Sequence, residues 1–157
     1  VLMIERTFGN NYLYLTVNEM AGFAGMVLGG IFLGAWGGFE ERWKTFSFGL
    51  FCSGLFSFAL GFTYSFWLFA SLMFLMSFFI PVVQSSTTTM LQQQVPEEKQ
   101  GRIFGLLGAI YNSFMPLGTA LFGPLADIVK IQWLVIICGG LLMGLTLLGS
   151  FLKNKAW

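Results

Sequence analysis

The sequence predicts an all-α protein, a polytopic bundle of transmembrane helices. Hydrophobic residues make up 56% of its 157 residues and charged residues only 10%, whereas about a quarter of the residues in a typical soluble domain are charged. Two long stretches, residues 45–96 and 103–126, carry no formal charge. A helix rises about 1.5 Å per residue, so the 24 residues of the second stretch can cross a hydrocarbon core about 30 Å thick.

The first predicted span covers residues 17–39. Thr16 and Glu19 fit a capping box, in which the carboxylate three residues into a helix accepts a hydrogen bond from a free backbone N–H at its start. Small residues then recur at a spacing of four, a pattern that lets helix backbones approach closely in lipid. We therefore predict that helix packing involves Gly25, Gly29, Gly30 and Gly34.

The next two spans come from the uncharged stretch 45–96, which is too long for one membrane helix. The sequence GFTYS at 61–65 supplies turn-forming residues, so we predict spans at 45–62 and 66–95. Pro96 and the charged residues after it end the third span. The fourth and fifth spans are predicted at 103–126 and 131–152, separated by a short polar turn.

Basic residues predict the orientation of the five spans. Cytoplasmic loops of membrane proteins carry an excess of lysine and arginine. Six basic residues fall on one predicted side, Arg42, Lys44, Lys99, Arg102, Lys153 and Lys155, against Arg6 and Lys130 on the other. The C-terminus is therefore predicted to be cytoplasmic, in a multi-pass protein of the cell membrane surrounded by lipid.

Composition argues against several function classes. The chain has no histidine, so the commonest metal ligand and general base is missing, and we expect no metal, no cofactor and no enzymatic site. The net charge of +1 offers no field to attract nucleic acid, and no nucleic-acid partner is expected. Cys52 and Cys138 lie in apolar spans, where cysteine behaves as a small hydrophobe.

Polar residues inside the third and fourth spans are candidates for a substrate cavity. Ser77, Gln84 and Thr88 share one face of the third span with Ser85 beside them, and amides and hydroxyls are poor lipid-facing groups. Tyr111 and Asn112 lie about 12 to 14 Å into the fourth span. The alternative interpretation is structural: hydroxyls that satisfy carbonyls freed by Pro81, and an interhelical hydrogen bond for the fourth span.

Three segments carry a resemblance to a known family. VPEEKQGRIFG, NSFMPLGTALFGPLAD and GGIFLGAWGGFEER resemble the C-terminal half of major facilitator superfamily exporters, particularly the macrolide-efflux branch. The resemblance implies the eighth to twelfth of twelve helices, in a bacterial plasma-membrane transporter. Because the chain starts with Val1, we expect an N-terminal half to be missing here. One departure is Gly38, which stands where the family's loop motif has an aspartate.

The resemblance implies proton-coupled export of hydrophobic small molecules, with Arg42, Glu97, Lys99 and Arg102 as a cytoplasmic gate. A plain solvated turn is the alternative for the last three. Glu19 is the candidate for proton coupling, although we favour its capping role and expect the coupling carboxylate in the missing half. There are two other hypotheses. The protein exports another compound such as a siderophore, or it is a small membrane channel or scaffold that is complete in itself.

Overall fold

A computed structural model describes residues 12–155 as five helices, and the side chains of that range outside 126–127 and 151–155. We label the helices α1 (Tyr12–Trp36), α2 (Arg42–Leu60), α3 (Phe66–Gln94), α4 (Glu97–Ile128) and α5 (Ile131–Lys155). No strand occurs between residues 12 and 155. The prediction of an all-α fold is therefore confirmed.

Four of these helices are long and apolar enough to cross a membrane. The qualifying segments are Tyr12–Trp36, Phe66–Gln94, Glu97–Leu125 and Ile131–Ser150. Helix α2 is not among them, because Arg42, Lys44 and several hydroxyl side chains lower the mean hydropathy of its 19 residues. The protein is thus a multi-pass membrane protein, while the crossing of the membrane by residues 45–62 stays a prediction.

The capping box predicted at Thr16 and Glu19 is wrong. Helix α1 already includes Tyr12, and the Thr16 hydroxyl donates a hydrogen bond to the Tyr12 carbonyl at 3.0 Å. Glu19 is the eighth residue of the described helix and its side chain is exposed. A threonine inside a helix can bond back to the carbonyl four residues earlier, so the sequence pattern alone does not mark a helix start.

Helices α1 and α3 touch backbone to backbone at two glycines. A methyl group added to Gly25 would clash with the Phe74 carbonyl, and one added to Gly29 would clash with the carbonyl group of Phe78. Gly30 and Gly34 have no such neighbour among the described residues, since a methyl group at either would meet nothing within 4 Å, and their packing stays a prediction. Gly30 is rotated by about 100° from Gly29 around the helix, which takes it out of the backbone contact with α3.

The other close contacts place α3 between α1 and α2, and α2 between α3 and α5. Gly49 of α2 faces Val82 and Val83 of α3, and Gly54 of α2 faces α5 near Gly139. Val82 is 1% exposed. Helix α4 is not part of any of these close pairs, and no residue in its membrane-length segment is buried.

We predict that Gly29→Ala destabilises the protein whereas Gly30→Ala does not. The new methyl group at position 29 must push α1 from α3, and overpacking of this kind costs about 1 to 3 kcal/mol. At position 30 the methyl group enters open space and alanine is the better helix former by about 1 kcal/mol. Thermal unfolding in detergent measures both, and equal stability of the two variants would contradict the α1–α3 contact.

We predict that single cysteines at Tyr64 and Glu98 react with a membrane-impermeant maleimide from opposite sides of the cell membrane. Tyr64 is 93% exposed between α2 and α3, while its neighbour Thr63 is buried and unsuitable. Glu98 is exposed in the first turn of α4. Cys52 and Cys138 are replaced beforehand. Because α3 alone separates the two labels, reaction from the same side would show that α3 does not cross the membrane.

Candidate functional site

Of the four polar residues of α3 that we predicted to line a substrate cavity, one is buried and three are accessible. Ser77 is 7% exposed, and its side chain faces Gly22 and Gly25 of α1. Within the described residues the close approach of the two helices covers Ser77, and a place for Ser77 in a substrate cavity stays a prediction. Gln84, Ser85 and Thr88 are exposed, and the Thr88 hydroxyl donates to the Gln84 carbonyl at 3.0 Å.

On α4, the polar residues at mid-helix are open to the surroundings. Tyr111 is 64% exposed. Asn112 is exposed as well, and its Nδ2 donates to the Gly108 carbonyl at 2.8 Å. The amide thus has a partner in its own helix, and its oxygen is left to accept a hydrogen bond. Since α3 and α4 do not pack closely, these residues and Gln84 are not joined into one surface in the described range.

An apolar cavity of about 590 Å³ lies between α2, α4 and α5. Aromatic and sulfur-containing side chains of α4 form one wall, with Phe114, Met115 and Phe122. Ile131, Leu134, Val135 and Cys138 of α5 face them, and Ser57 and Thr119 supply the hydroxyl groups. Sequence analysis missed this cavity, although Phe114, Gly118 and Phe122 recur at a spacing of four. Its volume and lining suit a hydrophobic small molecule.

The loop between α1 and α2 is held by three specific features. Gly37 and Gly38 have φ angles of +74° and +79°, in the left-handed region that favours glycine. The Arg42 Nη1 donates to the Gly37 carbonyl at 2.8 Å, and the Phe39 N–H donates to Thr45 Oγ1 at 2.9 Å. Arg42 therefore binds a backbone carbonyl in a loop where the resembling motif would place an aspartate.

The charged residues predicted to form the rest of a gate lie in the first turns of α4. Glu97, Lys99 and Arg102 are exposed, and none of them forms an ion pair within the described part of the chain. Glu97 and Glu98 sit at the helix N-terminus, where negative charge complements the helix dipole. This arrangement is that of a solvated turn, and a gate at these residues stays a prediction.

Next to Glu19 lies a buried polar side chain that sequence analysis did not single out. Asn18 is 5% exposed, and its Oδ1 has no hydrogen-bond partner among the described residues. Glu19 itself is exposed and forms no ion pair in the same range. A buried amide and an unpaired carboxylate thus lie side by side in α1. Among the described residues no cluster of histidine, cysteine or carboxylate side chains could hold a metal ion.

Comparison with known proteins places these features in a family context. The family model described as Major Facilitator Superfamily matches residues 2–155. Macrolide efflux protein A of Streptococcus pyogenes is 25% identical over 138 residues, 87% of this chain and 34% of that protein. Macrolide efflux protein A of Enterococcus faecalis is 26% identical over 113 residues, 71% of this chain and 35% of that protein.

The name of a third relative refers to a different exported compound. Staphylopine export protein of Staphylococcus aureus is 33% identical over 73 residues, 46% of this chain and 18% of that protein. No solved structure matches the chain. The chain therefore spans about a third of the length of the macrolide-efflux relatives that it matches.

Proposed function

Because the chain belongs to the Major Facilitator Superfamily, we propose that it is part of a secondary active exporter of hydrophobic compounds such as macrolides. The main observation behind this proposal is the apolar cavity beside α4. Helix α4 is long enough to cross a membrane, and no residue in its membrane-length segment is buried. Family membership indicates a transporter rather than an enzyme. It also disfavours a channel or scaffold that is complete in itself.

The exposure of α4 supports the proposal that this helix meets another part of the transporter. Lipid could cover its apolar side chains, but Tyr111 and Asn112 expose polar groups at mid-helix. Intramembrane polar groups are costly in hydrocarbon and usually face a bundle interior or a water-filled cavity. We therefore propose that α4 packs against the remaining portion of the protein and that its polar residues, Tyr111 and Asn112, face the substrate path. Gln84, Ser85 and Thr88 on α3 are assigned to the same path.

The apolar cavity supports a hydrophobic substrate. Its volume of about 590 Å³ lies within the roughly 300 to 1,000 Å³ typical of small-molecule sites. Its Ser57 and Thr119 hydroxyls can orient a substrate whose apolar surface contacts Phe114 and Met115. The names of two relatives, both macrolide efflux proteins, point in the same direction.

Transport by alternating access moves one part of the protein against the other around a midplane site. In this scheme the protein sits in a bacterial cell membrane with its C-terminus in the cytoplasm. The cytoplasmic gate comprises Arg42 together with Glu97, Lys99 and Arg102. Protons drive the cycle. The structure shows no cap at Glu19, so we propose this residue as the coupling carboxylate within the chain, and a carboxylate in the remaining portion of the protein is the alternative.

A second candidate function is export of a different substrate class. The match to Staphylopine export protein is higher in identity, 33%, than either macrolide-efflux match, although it covers less of the chain. Susceptibility or export assays with both compound classes distinguish the two candidates. Resistance to macrolides without export of staphylopine would favour the first.

We predict that Asn112→Ala and Gln84→Ala change the susceptibility profile of cells that express the transporter. Loss of one hydrogen bond to a substrate costs about 1 kcal/mol, or roughly a fivefold change in susceptibility to the drugs that use it. Gln94→Ala is the matched control, since it removes the same amide from the exposed end of α3. Minimum inhibitory concentrations at equal expression measure the effect. Unchanged profiles for both variants would argue against a substrate path at these residues.

We predict that Glu19→Gln reduces drug resistance to the level of cells without the transporter. The substitution keeps shape and hydrogen bonding but removes the proton-accepting carboxylate, so drug export should no longer respond to a pH gradient. Glu40→Gln, in the loop after α1, serves as the control. Drug efflux from energised vesicles at two pH gradients provides the measurement, and full pH-driven efflux by Glu19→Gln would place coupling at another residue.

A further inference from the structure

We propose that a cavity between α1, α3 and Arg42 binds one phosphate group. The cavity measures about 390 Å³ and is distinct from the apolar cavity beside α4. Leu33 and Gly34 of α1 border it on one side, and Pro81, Ser85 and Thr89 of α3 on the other. The proposal does not depend on drug export and assigns this end of the molecule a ligand of its own.

The cavity exists because the close approach of α1 and α3 ends after Gly29. Up to that glycine the helix backbones touch, as described above for Phe74 and Phe78. Pro81 follows on α3, and a proline lacks the N–H that a helix interior needs and disturbs the preceding turn. A methyl group added at Gly34 of α1 would meet nothing within 4 Å, so the space beside it is open.

The groups that line the cavity suit an anion. Arg42 contributes the only formal charge among the lining residues, and one of its five N–H groups is used on the Gly37 carbonyl. The Ser85 hydroxyl forms no hydrogen bond within residues 12–155 and is available as a donor. An arginine fork with a nearby hydroxyl is the arrangement that recognises phosphate or carboxylate oxygens.

Nearby carboxylates do not occupy this cavity. Glu40 and Glu41 line a different cavity, of about 770 Å³, together with Trp43, Gln93 and Gln94. Glu41 lies 3.6 Å from the Lys44 ammonium, which offsets its charge. Arg42 borders both cavities, and the lining of the α1–α3 cavity also contains hydroxyl groups. The lining of the α1–α3 cavity therefore contains one positive charge, Arg42, and no carboxylate.

The position of the cavity suggests where the phosphate comes from. It lies at the end of α1, next to a loop flanked by Trp36 and Trp43, and tryptophan favours the headgroup zone of membranes. A phospholipid headgroup reaches that depth, and so does free phosphate from water. The phosphate oxygens would make the same contacts with Arg42 and Ser85 in both cases.

Thermal unfolding of the protein as its gene encodes it, purified in a neutral maltoside detergent, tests the proposal. One arm adds phosphatidylglycerol to the micelles, and the other adds inorganic phosphate at constant ionic strength. We expect ligand to raise the unfolding temperature, with an affinity about tenfold lower in Arg42→Gln because a charge-assisted hydrogen bond is lost. A rise in the lipid arm alone identifies a headgroup, and a rise with inorganic phosphate shows that a soluble phosphate also enters.

Gly34→Leu provides the sharper test, because it fills the cavity without removing Arg42 from the loop that it stabilises. Its matched control is Gly140→Leu on α5, another exposed glycine with open space around it. Lys130→Gln controls for the loss of a positive charge elsewhere. We expect Gly34→Leu to abolish the ligand-induced rise and both controls to keep it. The absence of a rise with either ligand, or a rise that survives Gly34→Leu, would overturn the proposal.

Discussion

The backbone contact between α1 and α3 determines much of the described structure. Gly25 and Gly29 bring α1 so close to the Phe74 and Phe78 carbonyls that no side chain fits between them. In lipid there is little hydrophobic drive for helices to associate, so close van der Waals contact between small residues becomes the main source of attraction. The same contact buries Ser77, and its end after Gly29 leaves the space that forms the cavity beside Arg42.

Much of the fold could be predicted from charge and hydrophobicity alone. The predicted spans 66–95 and 131–152 nearly coincide with Phe66–Gln94 and Ile131–Lys155. The prediction for the fourth helix is shorter, 103–126 against Glu97–Ile128, because it was drawn from the uncharged run, while the helix also includes the charged residues before that run. The helix start predicted at Thr16 is wrong, because a threonine hydroxyl can donate to a carbonyl inside a helix as well as cap the start of a helix.

The candidate site was less predictable because periodicity shows which residues share a face but not what that face meets. Ser77 and Gln84 lie on one face of α3, yet α1 covers the serine and leaves the glutamine exposed. Gly29 and Gly30 are adjacent in sequence and differ completely in their surroundings. The apolar cavity requires α2, α4 and α5 together, so no single segment reveals it.

The glycines of the α1–α3 contact also have a genetic consequence. Glycine has the smallest side chain, so every base substitution that changes a glycine codon to another amino acid adds atoms at that position. At Gly25 and Gly29 those atoms meet a backbone carbonyl, which cannot move aside as a flexible side chain could. Substitutions at these two positions are therefore expected to disrupt the α1–α3 contact, whereas substitutions at a position such as Gly30, where an added methyl group meets nothing within 4 Å, leave that contact intact.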